Sequence, residues 1–158
     1  MEVLIILNAF MVVEQTRQYQ KRMKYHPETN QFTETEWDSL AFVRDVPYPY
    51  GWLKGFGTPP GRHLDILLIS EKEYELGEIV PVKIIGVFIR NDGDNKLVAI
   101  SPERIETDYA QLPEKEKRLL LKLYPGKFEG EGWFGTEIAK DVIRNYSGTI
   151  QKCSALIG

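Results

Sequence analysis

The sequence predicts a mainly β protein of the α+β class, in which a small closed barrel carries two helices on its outside. Short apolar runs rich in β-branched residues fill the first two-thirds of the chain, and helical apolar spacing is confined to the last third. Connections are short, and no repeat, low-complexity segment or linker interrupts the 158 residues. Many short strands followed by helices are typical of one barrel domain, which we expect to span residues 1–158.

Strand patterns recur along the first two-thirds of the chain. Residues 3–13 form a long apolar stretch, and residues 42–44 and 52–53 are short candidates on either side of a turn rich in proline and tyrosine. The strongest candidates are residues 63–70 and 79–90.

The dipeptide Asp92-Gly93 separates two apolar runs and predicts a tight hairpin. Asp-Gly is favoured in two-residue turns because such turns require positive φ angles. We therefore expect residues 84–90 and 96–100 to pair as antiparallel strands. The dipeptide is also ordinary turn chemistry in any protein, so its acid alone does not indicate a site.

Two helices are predicted toward the C-terminus. The first begins with Pro113 and Glu114, which suit a helix N-terminus, and ends at Pro125. The second begins near Thr136, and the apolar residues of its predicted stripe recur at helical spacing. That stripe consists of Ile138, Val142, Ile143 and Tyr146.

Composition argues against several classes of partner and location. The net charge is −3, which gives no overall attraction to nucleic acid or to an anionic membrane. The apolar run at residues 3–13 is too short to span a bilayer, and Glu2 is an acid where a secretory signal carries lysine or arginine. We therefore expect a soluble, cytoplasmic protein. The single cysteine, Cys153, is interpreted as an inert thiol.

Acids at the ends of the apolar runs are the candidates for chemistry. Asp65 begins one run, whereas Asp92, Asp94 and Lys96 lie where two further runs are joined. Three carboxylates and one ammonium on rigid strands can bind a divalent cation together with an anionic oxygen ligand. Asp65 alone, at the start of a strand, is more often a capped or solvated acid.

Five segments, in the right order, resemble the soluble, single-domain inorganic pyrophosphatases. They are Tyr-Pro-Tyr-Gly-Trp at 48–52, Leu-Asp-Ile-Leu-Leu at 64–68, Val-Lys-Ile-Ile-Gly-Val at 82–87, Asp-Gly-Asp-Asn-Lys-Leu-Val-Ala-Ile at 92–100, and Glu-Gly-Trp at 131–133. The resemblance covers residues 24–143. It implies a five-stranded, OB-like closed barrel with two C-terminal flanking helices. It also implies metal-dependent hydrolysis of diphosphate to two phosphates.

The chemistry of that family assigns roles to the matching residues. Clustered divalent ions neutralise the polyanion and lower the pKa of a bound water, and carboxylates hold those ions. The resemblance implies metal ligands at Asp65, Asp92 and Asp94, which would hold Mg²⁺ or Mn²⁺ in a number that stays open. The implied catalytic residues are Asp65, Asp92, Lys96 and Tyr50. The implied phosphate-binding residues are Lys24, Tyr48, Lys96 and Tyr124.

The chain also departs from the family pattern. Pro60 and Arg62 stand where two acids are expected, and His26 stands where a glutamate is expected. Glu14 is one residue out of place for a glutamate near the N-terminus. An arginine in place of a carboxylate reverses the local charge and opposes binding of a metal pair. Arg62 is either an ordinary loop residue or a guanidinium that replaces a metal ion.

Three functions stay open from the sequence. The first is an active pyrophosphatase that acts on diphosphate, binds neither nucleic acid nor membrane, and forms a homo-oligomer, as family members commonly do. The second is a catalytically degenerate relative that binds an anionic phosphate metabolite or a protein partner. The third, the weakest because of the net acidity, is a nucleic-acid module using Tyr19, Tyr25 and the basic cluster at 17–24. His26 and His63 lack metal-ligand spacing and are interpreted as surface histidines.

Overall fold

A computed structural model describes residues 7–157, with side chains described for residues 7–146. Its strands are β1 (Asn8–Gln15), β2 (Lys21–His26), β3 (Gln31–Asp38), β4 (Tyr50–Gly57), β5 (His63–Leu68), β6 (Ile79–Ile89), β7 (Lys96–Ile100) and β8 (Gly132–Gly135). Its helices are α1 (Leu40–Val43), α2 (Glu114–Leu123) and α3 (Thr136–Ile157). The predictions for residues 3–6 and for the Cys153 thiol lie outside the described residues and side chains.

Five of these strands close into a barrel. They neighbour one another in the order β1-β4-β5-β7-β6, and β6 returns to pair with β1. The pairs are antiparallel except β5 and β7, which run parallel. Strand β8 adds to β6 beside the ring, and β2 and β3 form a separate hairpin. The mainly β class, the five-stranded closed barrel and the two C-terminal helices are confirmed.

The core has two apolar clusters, each of which fixes one helix on the barrel. Ile143 of α3 packs with barrel residues such as Leu53 and Ile66, all of them fully buried. Leu120 of α2 packs with Ile85 and others on a second face. Each fully buried side chain of this size contributes about 1.5–3 kcal/mol, so the apolar faces dock both helices.

Three local predictions are corrected by the structure. Residues 42–44 form part of α1 and its C-cap rather than a strand, because the amides of Val43 and Arg44 bond locally to Ser39 and Leu40 carbonyls. Strands β6 and β7 pair antiparallel as predicted, but residues 90–95 make a connection longer than a two-residue turn. In α3 the predicted stripe holds for Ile143 and Tyr146, which are buried, and for Val142, which packs against the core, whereas Ile138 is exposed. The hairpin β2–β3 and strand β8 were not predicted.

The described helices also bear on the membrane question. None of the helices within residues 7–157 is long and apolar enough to cross a bilayer.

Candidate active site

Four of the predicted site residues meet at one mouth of the barrel. Asp65 and Lys96 are direct partners in the parallel pairing of β5 with β7. The Lys96 ammonium lies 2.7 Å from Asp65 Oδ2, 2.9 Å from Asp94 Oδ2 and 3.1 Å from the Tyr50 hydroxyl oxygen. Asp65 is 7% exposed and Lys96 is 5% exposed, so this cluster is held largely away from solvent.

A glycine allows Tyr50 to reach this cluster. Gly51, the next residue, lies where β4 pairs tightly with β1. A Cβ at this position would stand 1.9 Å from the Val12 carbonyl oxygen. Only glycine permits that approach, so the Tyr-Gly pair in the motif follows from the packing of two barrel strands.

The charges in the cluster keep both Asp65 and Lys96 ionised. Burial alone would raise the pKa of Asp65, but hydrogen bonding to His63 and the nearby Lys96 ammonium hold this pKa well below its usual value. Burial would lower the pKa of Lys96, but the attraction of Asp65 raises it. Burial, and then the Asp65 charge, raise the pKa of Tyr50, which is therefore a neutral hydrogen-bond donor at neutral pH.

Asp92, the third predicted metal ligand, lies on the connection between β6 and β7, outside the barrel strands. Asp92 Oδ2 is 3.2 Å from Arg90 Nη2, and its Oδ1 accepts a 3.0 Å hydrogen bond from the Asp94 amide. Arg90 Nη1 is also 3.6 Å from Asp94 Oδ2. Asp92 therefore adjoins the Lys96 cluster through Asp94 and Arg90, and its side chain is 52% exposed.

Two further polar side chains, His63 and Glu14, lie beside Asp65. His63 Nε2 is 2.8 Å from Asp65 Oδ1, so the interpretation of His63 as a surface histidine was wrong. Glu14 joins them, and one ligand atom from each of Glu14, His63 and Asp65 lies within 4.8 Å of the others. Burial, followed by the Asp65 charge, raises the pKa of Glu14 to about 7. The His63–Asp65 contact has a signal in the sequence, since residues two apart on a strand share a face.

Glu14 owes its position to a β-bulge. Val13 pairs with Gly51 and Gln15 pairs with Tyr50, so Glu14 is an extra residue with no counterpart on β4. Bulges re-aim a side chain and are frequent beside active sites.

A surface cavity opens beside Lys96 and carries cations outside the predicted site: Arg90 was missed, and Arg22 was noted only as part of the basic cluster at 17–24. Arg22 and Arg90 line it together with Lys96, Tyr50 and Tyr124. Acids and apolar side chains complete the wall, among them Glu14, Asp38, Asp94, Leu40 and Leu123. The cavity therefore combines three cations with phenol donors, a combination suited to a small polyanion.

Three predicted phosphate-binding residues are placed differently from one another. Tyr124 lines the cavity and stacks on Phe88 with ring centroids 5.1 Å apart. Tyr48 is 3% exposed and packs in the core beside α2, away from the cavity wall. Lys24 is exposed on β2, and its neighbour on the same face, Arg22, lines the cavity in its stead.

Arg62, the residue that reverses the charge expected by the family pattern, turns away from the acids. Its guanidinium carbon lies 4.3 Å from the ring centroid of Tyr146 on α3. The Tyr146 hydroxyl also donates a 3.4 Å hydrogen bond to the Arg62 carbonyl. Stacking on an aromatic face is a favourable use of arginine, and it leaves Asp65 paired with His63 and Lys96 rather than with Arg62.

Comparison with known sequences points to one family. The sequence model of the family described as inorganic pyrophosphatase matches residues 11–150. An inorganic pyrophosphatase of Nanoarchaeum equitans is 28% identical over 123 residues, which cover 67% of this chain and 77% of the relative. Another, of Sulfolobus acidocaldarius, is 26% identical over 117 residues, which cover 63% and 68%.

Solved structures share the fold. The crystal structure of an inorganic pyrophosphatase from Neisseria gonorrhoeae superimposes with a TM-score of 0.68 at 20% identity, covering 89% of both chains. That of the inorganic pyrophosphatase from Thermus thermophilus gives a TM-score of 0.64 at 18% identity, covering 89% of this chain and 92% of the other. These two likenesses establish the architecture of the barrel and its helices.

Proposed function

Because the chain belongs to the inorganic pyrophosphatase family, we propose that it is an enzyme that hydrolyses diphosphate to two phosphates. The observation that carries the proposal is the convergence on Lys96. Acids that suit a cation, Asp65 and Asp94, meet there with donors that suit a phosphate oxygen, Lys96 and Tyr50.

The donor set fits a hard divalent cation. Asp65 and Asp94 each place a carboxylate oxygen within hydrogen-bond distance of the same ammonium, which therefore occupies a position favourable to positive charge. All-oxygen ligands are typical of Mg²⁺ and Mn²⁺. We expect Asp65, Asp92 and Asp94 to hold such ions. When bound, they would polarise phosphoryl oxygens and lower the pKa of a water.

The chain's own donors would hold the substrate. Lys96 stays protonated because Asp65 raises its pKa. Tyr124 also stays a phenol, since burial raises its pKa. Ammonium and phenol groups donate charge-assisted hydrogen bonds to phosphate oxygens, and Arg22 and Arg90 add charge across the cavity. Diphosphate would therefore be bound between the acids at the barrel mouth and the arginines at the cavity wall.

The alternative function, binding of a phosphate metabolite or a protein partner without hydrolysis, is less well supported. That hypothesis rested on Arg62 and on the missing acids. The Arg62 guanidinium stacks on Tyr146 and makes no ion pair with Asp65 or Asp94, so it does not take the place of a cation there. A cytoplasmic location, a homo-oligomeric state and the absence of nucleic-acid or membrane partners complete the proposal, on the strength of the family and the net charge of −3.

Phosphate release tests the proposal. Purified protein is incubated with diphosphate and Mg²⁺ or Mn²⁺, with a chelator as the negative control. We expect metal-dependent release that falls by at least about 10²-fold in Asp65→Asn, because one metal ligand and the partner of Lys96 are lost together. Asp141→Asn, a matched change of an exposed acid on α3, should leave the rate unaltered. Release no faster than in buffer, at high enzyme concentration with either metal, would refute the proposed activity.

A further inference from the structure

Asp65 forms a second cluster with Glu14 and His63, two residues that the all-carboxylate site does not use. Glu14 comes from β1, and His63 and Asp65 come from β5. One ligand atom from each lies within 4.8 Å of the others. Two ligands bound to one metal at about 2.1 Å lie roughly 3 to 4 Å apart, so small side-chain rotations suffice to bring the three atoms onto a shared ion.

His63 is oriented as a metal-binding histidine is. Its Nδ1 is 2.7 Å from the Gly61 carbonyl oxygen, which can only accept a hydrogen bond, so Nδ1 carries a proton. This fixes Nε2 as the nitrogen that faces Asp65 and Glu14. Metal-bound histidines nearly always donate the other ring N–H in this way, often to a backbone carbonyl.

Glu14 supplies a second carboxylate, placed there by the bulge. The bulge at Val13 and Gln15 gives β1 an extra residue at this point in its pairing with β4. No described residue donates a hydrogen bond to the Glu14 carboxylate. Glu14 and Asp65 are carboxylates held close together, and a cation between them would offset their mutual repulsion.

Asp65 divides its two oxygens between two sites. Oδ2 faces Lys96 at 2.7 Å, on the side of the proposed diphosphate site. Oδ1 faces His63 at 2.8 Å, on the side of Glu14. A cation held through Oδ1 would therefore adjoin the Lys96 cluster without displacing the Lys96 ammonium.

We propose that Glu14, His63 and Asp65 bind a borderline divalent transition metal, of the class of Mn²⁺, Co²⁺ and Zn²⁺, at a position distinct from the all-oxygen site. One imidazole nitrogen and two carboxylate oxygens suit such ions, whereas Mg²⁺ prefers oxygen ligands alone. This inference rests on the proposed function only in placing the bound metal beside diphosphate. The metal binding itself does not depend on catalysis.

The chain offers a direct test because it has only two histidines, His26 and His63. Metal-free protein is first given excess Mg²⁺ to fill the all-oxygen site and is then loaded with one equivalent of Mn²⁺, and pulsed electron paramagnetic resonance is used to detect ¹⁴N coupling from a directly bound imidazole. We expect the coupling in the wild type and in His26→Gln, and its loss in His63→Gln. Because the wild-type spectrum needs no variant, the inference stays testable even if His63→Gln folds poorly.

Calorimetry with Co²⁺ and Mg²⁺ gives the second measurement. Loss of the imidazole ligand in His63→Gln should weaken Co²⁺ binding by more than about tenfold and change Mg²⁺ binding by less than about twofold. His26→Gln should match the wild type for both ions. Equal Co²⁺ affinity in the wild type and His63→Gln, or a wild-type spectrum without ¹⁴N coupling, would overturn the inference.

The outcomes separate this inference from the proposed function. Imidazole coupling in a protein that does not hydrolyse diphosphate would uphold the metal site and refute the activity. Diphosphate hydrolysis without imidazole coupling would uphold the activity and refute the site.

Discussion

The candidate site has two halves that differ in how they are held. The strand half consists of Glu14, His63, Asp65 and Lys96, which lie on or directly beside the barrel ladder. The hairpin half consists of Arg90, Asp92 and Asp94, on the connection at residues 90–95. Lys96 is 5% exposed, whereas the side chains of Asp92 and Asp94 are 52% and 55% exposed.

This difference in burial predicts different roles for the two halves of the site. Strand residues are fixed by neighbouring strands before any ligand arrives, and their ion pairs act in a poorly solvated setting. Exposed ion pairs such as Arg90–Asp92 contribute about 0–1 kcal/mol and are screened by salt. We therefore expect the strand half to set the stability and charge of the site, and the hairpin half to adjust around the ligand.

The largest effect should come from Lys96→Met. Removing the ammonium takes away the Lys96 partner of the buried Asp65 carboxylate and leaves it paired with His63. Breaking a buried pair from one side costs about 3 kcal/mol, and loss of a phosphate donor should lower the rate of diphosphate hydrolysis by about 10²–10³-fold. Urea unfolding and phosphate release measure the two effects.

The matched control for this change is Lys54→Met. Lys54 is an exposed lysine on β4, so we expect the control to behave as the wild type. If Lys96→Met unfolded at the same urea concentration as Lys54→Met, the strand half would not be the more strongly coupled part of the site.

A smaller and purely functional effect is expected from Asp92→Asn. Its side chain is 52% exposed and pairs with Arg90, so the free energy of unfolding should change by less than about 0.5 kcal/mol. Because Asp92 is a proposed metal ligand, the substitution should nevertheless raise the Mg²⁺ concentration needed for half-maximal rate by about tenfold.

Asp45→Asn serves as the comparison, because Asp45 is exposed and its positive φ of 55° is tolerated by asparagine. A loss of stability in Asp92→Asn as large as that in Lys96→Met would erase the distinction between the halves.

The smallest effect is expected at Asp108, a carboxylate held by hydrogen bonds rather than by an ion pair as in the two halves of the site. Asp108 lies outside both halves and accepts hydrogen bonds from the Thr136 and Ala110 amides. Burial would raise the pKa of Asp108, but these amides hold it below its usual value. Its carboxylate therefore stabilises the folded state above the unfolded pKa of about 3.9, and this contribution is lost as the pH falls through the lower folded pKa.

Asp108→Asn should accordingly reduce the free energy of unfolding by about 0.5–1 kcal/mol near pH 7, because the carboxylate at the N-terminus of α3 loses its charge. The difference from the wild type should shrink as the pH falls below about 4. Urea unfolding at several pH values measures it. A difference that stayed constant down to the acid range would contradict the role of the charged form.

Much of the fold could be predicted because it follows from local patterns of apolar, turn and capping residues. The apolar runs of β6 and β7 predicted their pairing, and Pro113 followed by Glu114 predicted where α2 begins. Residues 42–44 show the opposite case. Their apolar and branched side chains suit a strand, but local backbone hydrogen bonds make them part of a single helical turn and its cap.

The site was predictable only in part. The order of the motifs placed Asp65, Asp94, Lys96 and Tyr50 in one cluster, which the structure brings together. Glu14 was matched only with its spacing one residue out of place, and no residue type marks the bulge that brings it to Asp65. Arg90 was missed, and Arg22 was noted only within the basic cluster at 17–24, since nothing in the sequence shows which cations face the opening.

The amino-acid sequence by itself determined the kinds of elements, the apolar faces that bury and the residues able to carry charge, because these depend on interactions between near neighbours in the chain. The tertiary structure decided which charges meet. Closure of β1 against β4 and β6, the parallel pairing of Asp65 with Lys96, and the stacking of Arg62 on Tyr146 each join segments far apart in sequence. Such contacts are set by the packing of the whole barrel, which no local pattern specifies.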